Sequence, residues 1–359
     1  MKLIVNVSRV VSGGGQQVAI STLDFLIKDL DFSIIIFAQE KSKIEKNFIN
    51  CKNVKVYSID KDLFLSKLQM IRLIKFKYSK AVILNFGPVV PFINNYQIVR
   101  SVYSNLFYPE IDFWSDIKSN IRKLQKKIKD YFRLQGTLRA DLIWFENKDM
   151  MNRCITIFQK SKKNVFYCAP SYSTDFNYEN ISDHNKLRIF YPATPYPNKG
   201  IDILKEVALE CQKQQINYVK FILTFNKKDK PGFTNFIVEH NLNSYFEFTG
   251  ILDNKRLNTE YSKCNGVLLL SKLECFSSSV IESAFFKKPI IGSDLSWLRM
   301  QLDNEGVFVD RENPISILAG IKKLKSKPII DFDKILSNYN SPKNKYKCLK
   351  EKLLKAYSL

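Results

Sequence analysis

Apolar residues along the chain fall into short runs separated by longer stretches with helical spacing, the alternation expected of strands and helices in turn. In the first half, runs at 2–8, 33–37, 54–59, 81–86, 97–103, 142–145 and 165–167 read as strands. After the first of them, Ser12, Gly13, Gly14 and Gly15 read as a loop. Residues 16–28 read as a helix with Val18, Leu23, Leu26 and Ile27 on its apolar side, and 63–78 as another. The second half restarts the pattern. Strands are expected at 187–191, 219–225, 246–249, 266–270 and 307–309, with one more starting at 289–292, and helices at 201–212, 255–263, 277–286 and 314–324. Such alternation predicts parallel sheets covered by helices on both faces.

Between the halves, residues 169–185 (APSYSTDFNYENISDHN) lose hydrophobic periodicity and become small and polar, as expected of a domain boundary. The chain of 359 residues is long enough for two domains, each with its own core. The expected division is 1–175, 186–340 and a terminal segment, 341–359, holding a helix at about 343–357.

Composition adds exclusions. Hydrophobic residues at 45% and charged residues at 25% fit an ordinary globular protein. The opening MKLIVNVS is too short an apolar run for a secretory leader, and no segment approaches the roughly 20 apolar residues that span a bilayer. A cytoplasmic location follows as the expectation, peripheral on the inner face of the plasma membrane if a surface element binds lipid. Cys51, Cys154, Cys168, Cys211, Cys264, Cys275 and Cys348 are scattered and form no C-x-x-C pair, which argues against a disulfide framework and a zinc site. His184 and His240 have no partner at ligand spacing. Lys and Arg number 56 against 35 Asp and Glu, giving +21, so the partners to expect are anionic: nucleotide diphosphates, acidic headgroups or nucleic acid.

The chemistry concentrates in 270–294, LSKLECFSSSVIESAFFKKPIIGSD, which reads as strand, loop, helix, strand. Glu274 falls in the loop at the carboxyl end of a strand, where open parallel sheets bind ligands, and Glu282 about two turns into the next helix. Ser277, Ser278 and Ser279 offer side-chain caps and backbone N–H groups at the helix start, an anion site. Sugar hydroxyls, a diphosphate and a ribose diol would meet these groups in order.

Glu274-Cys-Phe-Ser-Ser-Ser-Val-Ile-Glu282-Ser-Ala, followed by Lys288-Pro-Ile-Ile-Gly-Ser-Asp294, resembles the Glu-x7-Glu signature of retaining glycosyltransferases of family 4, found in bacterial polysaccharide, lipopolysaccharide and O-antigen assembly. The resemblance implies an α/β protein of GT-B fold. Two Rossmann-like domains would face each other across a cleft, the first binding acceptor and the second the nucleotide sugar, with the last helix crossing back to the first. It also implies transfer of a hexose-type sugar from a nucleotide-diphosphate sugar to a saccharide acceptor, expected to be lipid-linked. Glu274 and Lys199 would be catalytic, and Glu282, Phe276, Ser277, Ser278 and Ser279 would bind the donor, with Gly14 and Gly15 over its phosphates. No metal or other cofactor would be needed. Lys199 stands in Tyr191-Pro-Ala-Thr-Pro-Tyr-Pro-Asn-Lys199-Gly200, where the family has a diphosphate-binding Lys.

The chain departs from that pattern twice. Thr194 stands where many members have an Arg, and Val102-Tyr103-Ser104-Asn105 where many have a sugar-orienting His; Tyr103 or Asn105 is left to bond a sugar or the acceptor. Asp29-Leu-Asp31 and Asp60-Lys-Asp62 match a D-x-D metal pattern but read as turn residues. Residues 120–139, NIRKLQKKIKDYFRLQGTLR, have Ile121, Leu124, Ile128 and Tyr131 or Phe132 at helical spacing among many cations. Two placements stay open: the apolar side on the core, or a basic amphipathic helix on an anionic membrane surface. The competing functional class is a non-enzymatic basic protein that binds membrane or nucleic acid. RNA-binding aromatic motifs and nucleic-acid helix signatures are absent, so nucleic acid is not an expected partner.

Overall fold

The structure, a computed structural model, describes residues 1–10, 13–60, 64–171, 186–340, 344 and 346–358. The boundary segment beyond Ser171, with His184, lies outside them, as do Ser12, Leu63, and Lys61 and Asp62 of the second D-x-D pattern. The chain forms two compact units, Met1–Pro170 with Lys343–Leu359, and Ser171–Pro342.

The first unit runs β1 (Lys2–Val7), α1 (Gly13–Asp29), β2 (Ser33–Gln39), α2 (Lys43–Phe48), β3 (Val54–Ile59), α3 (Phe64–Lys77), β4 (Val82–Asn85), β5 (Gln97–Arg100), α4 (Asn120–Leu138), β6 (Leu142–Phe145), α5 (Lys148–Thr156) and β7 (Val165–Tyr167). Its strands are all parallel in the order β3-β2-β1-β4-β5-β6-β7, with a switch point between β1 and β4. Every residue of β4, β5 and β6 is buried, which is why these strands read as unbroken apolar runs. The triple glycine is not a loop. Gly13–Gly15 form the first turn of α1, where N–H groups lack helical partners in any sequence, so weak helix formers are tolerated there.

Two cores sandwich this sheet. One joins Leu23 and Leu26 of α1 to Val5, Ile36 and Leu84, and the other joins Met70 and Ile74 of α3 to Ile4, Phe37 and Ile83.

Helix α4 is turned the other way. Its buried residues are Asp130 and Thr137, while Ile121, Leu124, Ile128, Tyr131 and Phe132 are exposed by 49–72%. Asp130 explains the inversion, for its carboxylate accepts hydrogen bonds from Asn105 (2.6 Å), Trp114 (2.7 Å) and Arg133 (2.8 Å). A carboxylate with three donors is satisfied where an apolar contact would leave those donors bare. The core-packing placement of this helix is therefore excluded.

The second unit runs β8 (Leu187–Tyr191), α6 (Ile203–Lys213), β9 (Val219–Leu223), α7 (Pro231–Glu239), β10 (Phe246–Phe248), α8 (Asn254–Lys263), β11 (Gly266–Leu269), α9 (Ser278–Phe285), β12 (Ile290–Ser293), α10 (Ser296–Gln301), β13 (Val307–Val309), α11 (Pro314–Lys323) and α12 (Phe332–Ser337). Its parallel order is β10-β9-β8-β11-β12-β13, so β8 and β11 are neighbours at the switch point. Gly292 permits the close packing of β12 on α10, since a Cβ there would stand 2.3 Å from the Leu298 side chain.

Helix α13 (Lys347–Ala356) then returns to the first unit, where Leu349 and Leu353 are fully buried beside Leu3, Leu23 and Trp144. Each such leucine contributes about 1.5–3 kcal/mol. Among the described residues no helix is long and apolar enough to cross a membrane, and no group of three or more His, Cys, Asp or Glu could hold a metal ion.

Candidate functional site

The switch point of the second unit collects the charges. After β8 the chain enters a tight turn, Pro197–Lys199, which the Tyr191 hydroxyl fixes by donating to the Lys199 carbonyl. Gly200 follows with φ of 72°, and a Cβ there would meet the Leu270 carbonyl at 2.7 Å. Both conformation and space demand glycine. The Lys272 N–H donates to the Asn198 carbonyl at 2.7 Å, so the loops after β8 and β11 are laced together.

That lacing brings the Lys199 ammonium to 2.7 Å from Glu274 Oε1, which also accepts from the Ser271 hydroxyl. The side chains are 20% and 12% exposed, so the pair is sheltered yet reachable from solvent. An ammonium and a carboxylate held this way can exchange each other for a phosphate and for sugar hydroxyls.

Helix α9 begins immediately beyond. Ser277 occupies its N-cap position, but its hydroxyl makes no capping bond, and its N–H goes to Gln301 Oε1 at 3.2 Å. Ser278 and Ser279 follow it in the first turn, and their hydroxyls help set the ionisation of Glu282 and Tyr261. First-turn N–H groups at Ser278 and Ser279 are left to the positive end of the helix dipole, the geometry of an anion site.

Glu282 sits deeper. It accepts from the Tyr261 hydroxyl at 2.6 Å, and the fully buried Tyr261 ring lies 5.0 Å from Phe190 and 5.4 Å from Phe286. Burial raises the Glu282 pKa above the usual carboxylate range, against the pull of the Tyr261 and Ser278 hydrogen bonds. Burial, followed by the charge of Glu282, holds the Tyr261 pKa well above its ordinary value, so the hydroxyl remains a donor at neutral pH.

Lys199, Glu274, Phe276, Ser277, Ser278, Ser279 and Glu282 thus all lie on the carboxyl-edge loops and helix of one sheet, Phe276 against Tyr339 with ring centres 5.9 Å apart. Thr194 is exposed in the β8 loop. The remaining candidates belong to the first unit. Gly14 and Gly15 stand in the first turn of α1, and a Cβ at Gly15 would meet nothing within 4 Å. Asn105 is committed to Asp130, and the Tyr103 ring lies under Arg133 at 4.2 Å, so both help pin α4. Asp29 ends α1 and Asp31 follows it, exposed.

Sequence reasoning missed Ser271, Tyr261 and Arg311. The Arg311 Nε donates to the Leu270 carbonyl at 2.9 Å, and Nη2 lies 3.1 Å from where a Gly200 Cβ would be, placing a cation beside both loops. Its signal was available: an Arg two residues past β13 stands at the same sheet edge as Lys199.

Residues 174–341, within the second unit, match the family Glycosyl transferases group 1. No curated protein matches the chain by sequence. Among solved structures, Anabaena Alr3699/HepE in complex with UDP is similar at a TM-score of 0.72 and 13% identity, over 99% of this chain and 100% of that one. A glycosyltransferase from Rickettsia africae ESF-5 aligns at 0.68 and 16%, over 99% and 98%. WaaG, a glycosyltransferase involved in lipopolysaccharide biosynthesis, aligns at 0.64 and 9%, over 100% and 98%. Two parallel-sheet Rossmann-like units with these neighbours give the chain the GT-B fold.

Proposed function

We propose that the protein is a retaining glycosyltransferase that moves a hexose-type sugar from a nucleoside diphosphate sugar to a saccharide acceptor. The observation that carries this is the Lys199–Glu274 pair at 2.7 Å, next in the chain to the first-turn amides of α9 and the Glu282–Tyr261 pair. Anabaena HepE has been solved with UDP and with UDP-glucose, which supports a uridine diphosphate sugar as the donor class to test first.

In this reading Lys199 and the Ser278 and Ser279 N–H groups stabilise the negative charge that grows on the diphosphate as its bond to the sugar C1 breaks. Glu274 orients the sugar through its hydroxyls, and Glu282 accepts from the ribose diol. The acceptor oxygen bonds C1 from the face the phosphate leaves, and the acceptor proton passes to the departing phosphate oxygen. The positive charge at the leaving group comes from the protein, so turnover should persist in EDTA.

The inverted helix α4 supports a lipid-linked acceptor at an anionic membrane surface, in cell-surface polysaccharide synthesis. Its exposed apolar stripe is bordered by Arg122, Lys127 and Lys129, while Lys123 pairs with Asp112 and Lys126 lies over the Trp114 ring on the Asp130 side. The positive charges of Arg133, Lys126 and Arg9, with burial, lower the Lys129 pKa, a crowding of like charge that anionic headgroups would relieve.

The test is a panel of nucleoside diphosphate sugars followed for diphosphate release, with the anomeric configuration of the product read by NMR. Hydrolysis of one donor with retention is expected. If no donor is hydrolysed and no nucleoside diphosphate binds at millimolar concentration, or if complete loss of turnover in EDTA is reversed by metal, this reading fails.

A further inference from the structure

Half of the large apolar side chains exposed among the described residues lie on just three pieces of the first unit: α3, the segment before β5, and α4. Helix α4 has been accounted for. Helix α3 has not, and its outward side is no less apolar.

Met70 and Ile74 fix α3 to the sheet. On the opposite side, Phe64, Leu65, Leu68 and Phe76 are exposed by 71%, 61%, 44% and 74%. At 100° per residue, Arg72 and Lys75 fall within the same stripe. The helix carries no Asp or Glu. A shallow cavity of about 570 Å³ opens beside it, lined by Gln69, Arg72, Leu73, Phe76 and Lys77.

One short segment ties this surface to α4. Val90 packs in the core beneath α3 with Ile93 against it, whereas the Val89 N–H donates to the Gly136 carbonyl of α4 at 3.2 Å. Between Val90 and Ile93, Phe92 is held in the left-handed region at φ of 63° and is 85% exposed. A phenylalanine in that conformation, pointed at solvent, gains nothing from the fold itself.

We propose that α3 and Phe92 form a second bilayer-docking element, which inserts Phe64, Leu68, Phe76 and Phe92 among anionic phospholipids while Arg72 and Lys75 meet the headgroups. The inference rests on the membrane reading of α4 and extends it from one helix to a two-helix surface. Apolar rings interleaved with cations and free of carboxylates suit an anionic interface. A second copy of this chain, itself at +21, would oppose like charge with like.

The test uses vesicles of phosphatidylglycerol and phosphatidylcholine, with pure phosphatidylcholine as reference. Phe76→Trp should show blue-shifted emission and quenching by brominated lipid only with the anionic vesicles. Arg72→Gln with Lys75→Gln should lower the anionic partition roughly fivefold per charge, the ratio equivalent to about 1 kcal/mol each. Both sites are exposed, so thermal midpoint and donor hydrolysis should stay as in the parent. Suppose that replacing Lys126, Lys127 and Lys129 with Gln releases the protein, but the α3 charge variant binds as tightly as the parent and the indole of Phe76→Trp is not quenched. Then α4 docks alone and this inference falls. If neither set of charge substitutions changes partition, both readings fall. If α3 substitutions abolish a concentration-dependent dimer and leave vesicle binding unchanged, the surface belongs to a second copy and the inference is overturned.

Discussion

The two units share an architecture and furnish its edges with different side chains. Each is a parallel sheet whose strand order reverses once, at β1/β4 in one and β8/β11 in the other. In the second, the reversal gathers Lys199, Glu274 and Glu282 into partly buried hydrogen bonds. At the corresponding reversal of the first, the polar groups are amides, Asn6 donating to Asn85 at 2.9 Å and Asn85 to Gln97 at 3.0 Å. Away from that reversal the unit buries the Arg100–Glu146 pair, and it carries many further cations outside, on α3 and α4, among exposed rings. A doubly wound sheet therefore fixes where a ligand can sit, but the residues on its edges and helices decide whether the unit does chemistry or makes contact.

Separability of the two roles is the sharpest consequence. Lys199→Ala should lower donor hydrolysis about 10²–10³-fold, as expected for a donor facing developing charge, and leave vesicle binding untouched. Initial rates and sedimentation on one preparation decide it; a parallel loss of both would mean the units do not divide the work.

The converse comes from the first unit. Replacing Lys126, Lys127 and Lys129 with Gln should weaken partition to anionic vesicles by about 3 kcal/mol at low salt, with the parent's own binding falling as salt screens it, while hydrolysis of a soluble donor continues. A triple variant that sediments with those vesicles as well as the parent removes the contrast.

Within the second unit, Glu282→Ala should weaken nucleoside diphosphate binding by about 1.5–3 kcal/mol, measured by calorimetry. Unchanged affinity in a folded variant would take Glu282 out of the site.

The smallest effect is one of pH. Because burial raises the Glu282 pKa, the folded protein takes up that proton before the unfolded chain as pH falls. Its contribution to stability is present below the unfolded pKa and lost as pH rises through the folded one. Nucleotide binding that needs the carboxylate as acceptor should show an acid limb above the ordinary glutamate range, about 4.3. Tyr261→Phe deletes a hydrogen bond that pulls this pKa down, so it should move the limb to higher pH in titrations over about pH 4–7. A limb that does not move separates Tyr261 from the ionisation of Glu282.

What was legible in the sequence follows from burial. Strands β3, β6, β7, β8 and β13 fall at the residues their apolar runs mark: β6 is buried throughout and reads as an unbroken run, whereas the edge strand β3 is mostly uncovered and shows as alternation, VKVYSI. Helices α2, α5, α7, α10 and α12 went unread. At six to nine residues they complete too few turns to show a period, and α5 is started by Asn147 bonding the Asp149 and Met150 N–H groups, a local cap with no hydrophobic trace. The Glu274 and Glu282 spacing was visible in one stretch, whereas Tyr261 and Arg311 reach the site from distant strands and helices. The orientation of α4 was undecidable from periodicity, since an apolar stripe looks the same facing in or out. It was decided by Asp130, whose three donors come from Asn105, Trp114 and Arg133.

Helix α13 imposes an order on the birth of the molecule. Leu349, Leu353 and Ala356 complete a core begun by Leu3 and Val5, and the Tyr346 hydroxyl accepts from Thr22 at 3.2 Å. As the ribosome releases the chain from its amino end, the first-made unit must wait with an open groove on α1 until these last turns emerge. The later-made unit is contiguous and can close as soon as its own strands are out. The half that carries the paired charges is thus able to mature before the half that was begun first.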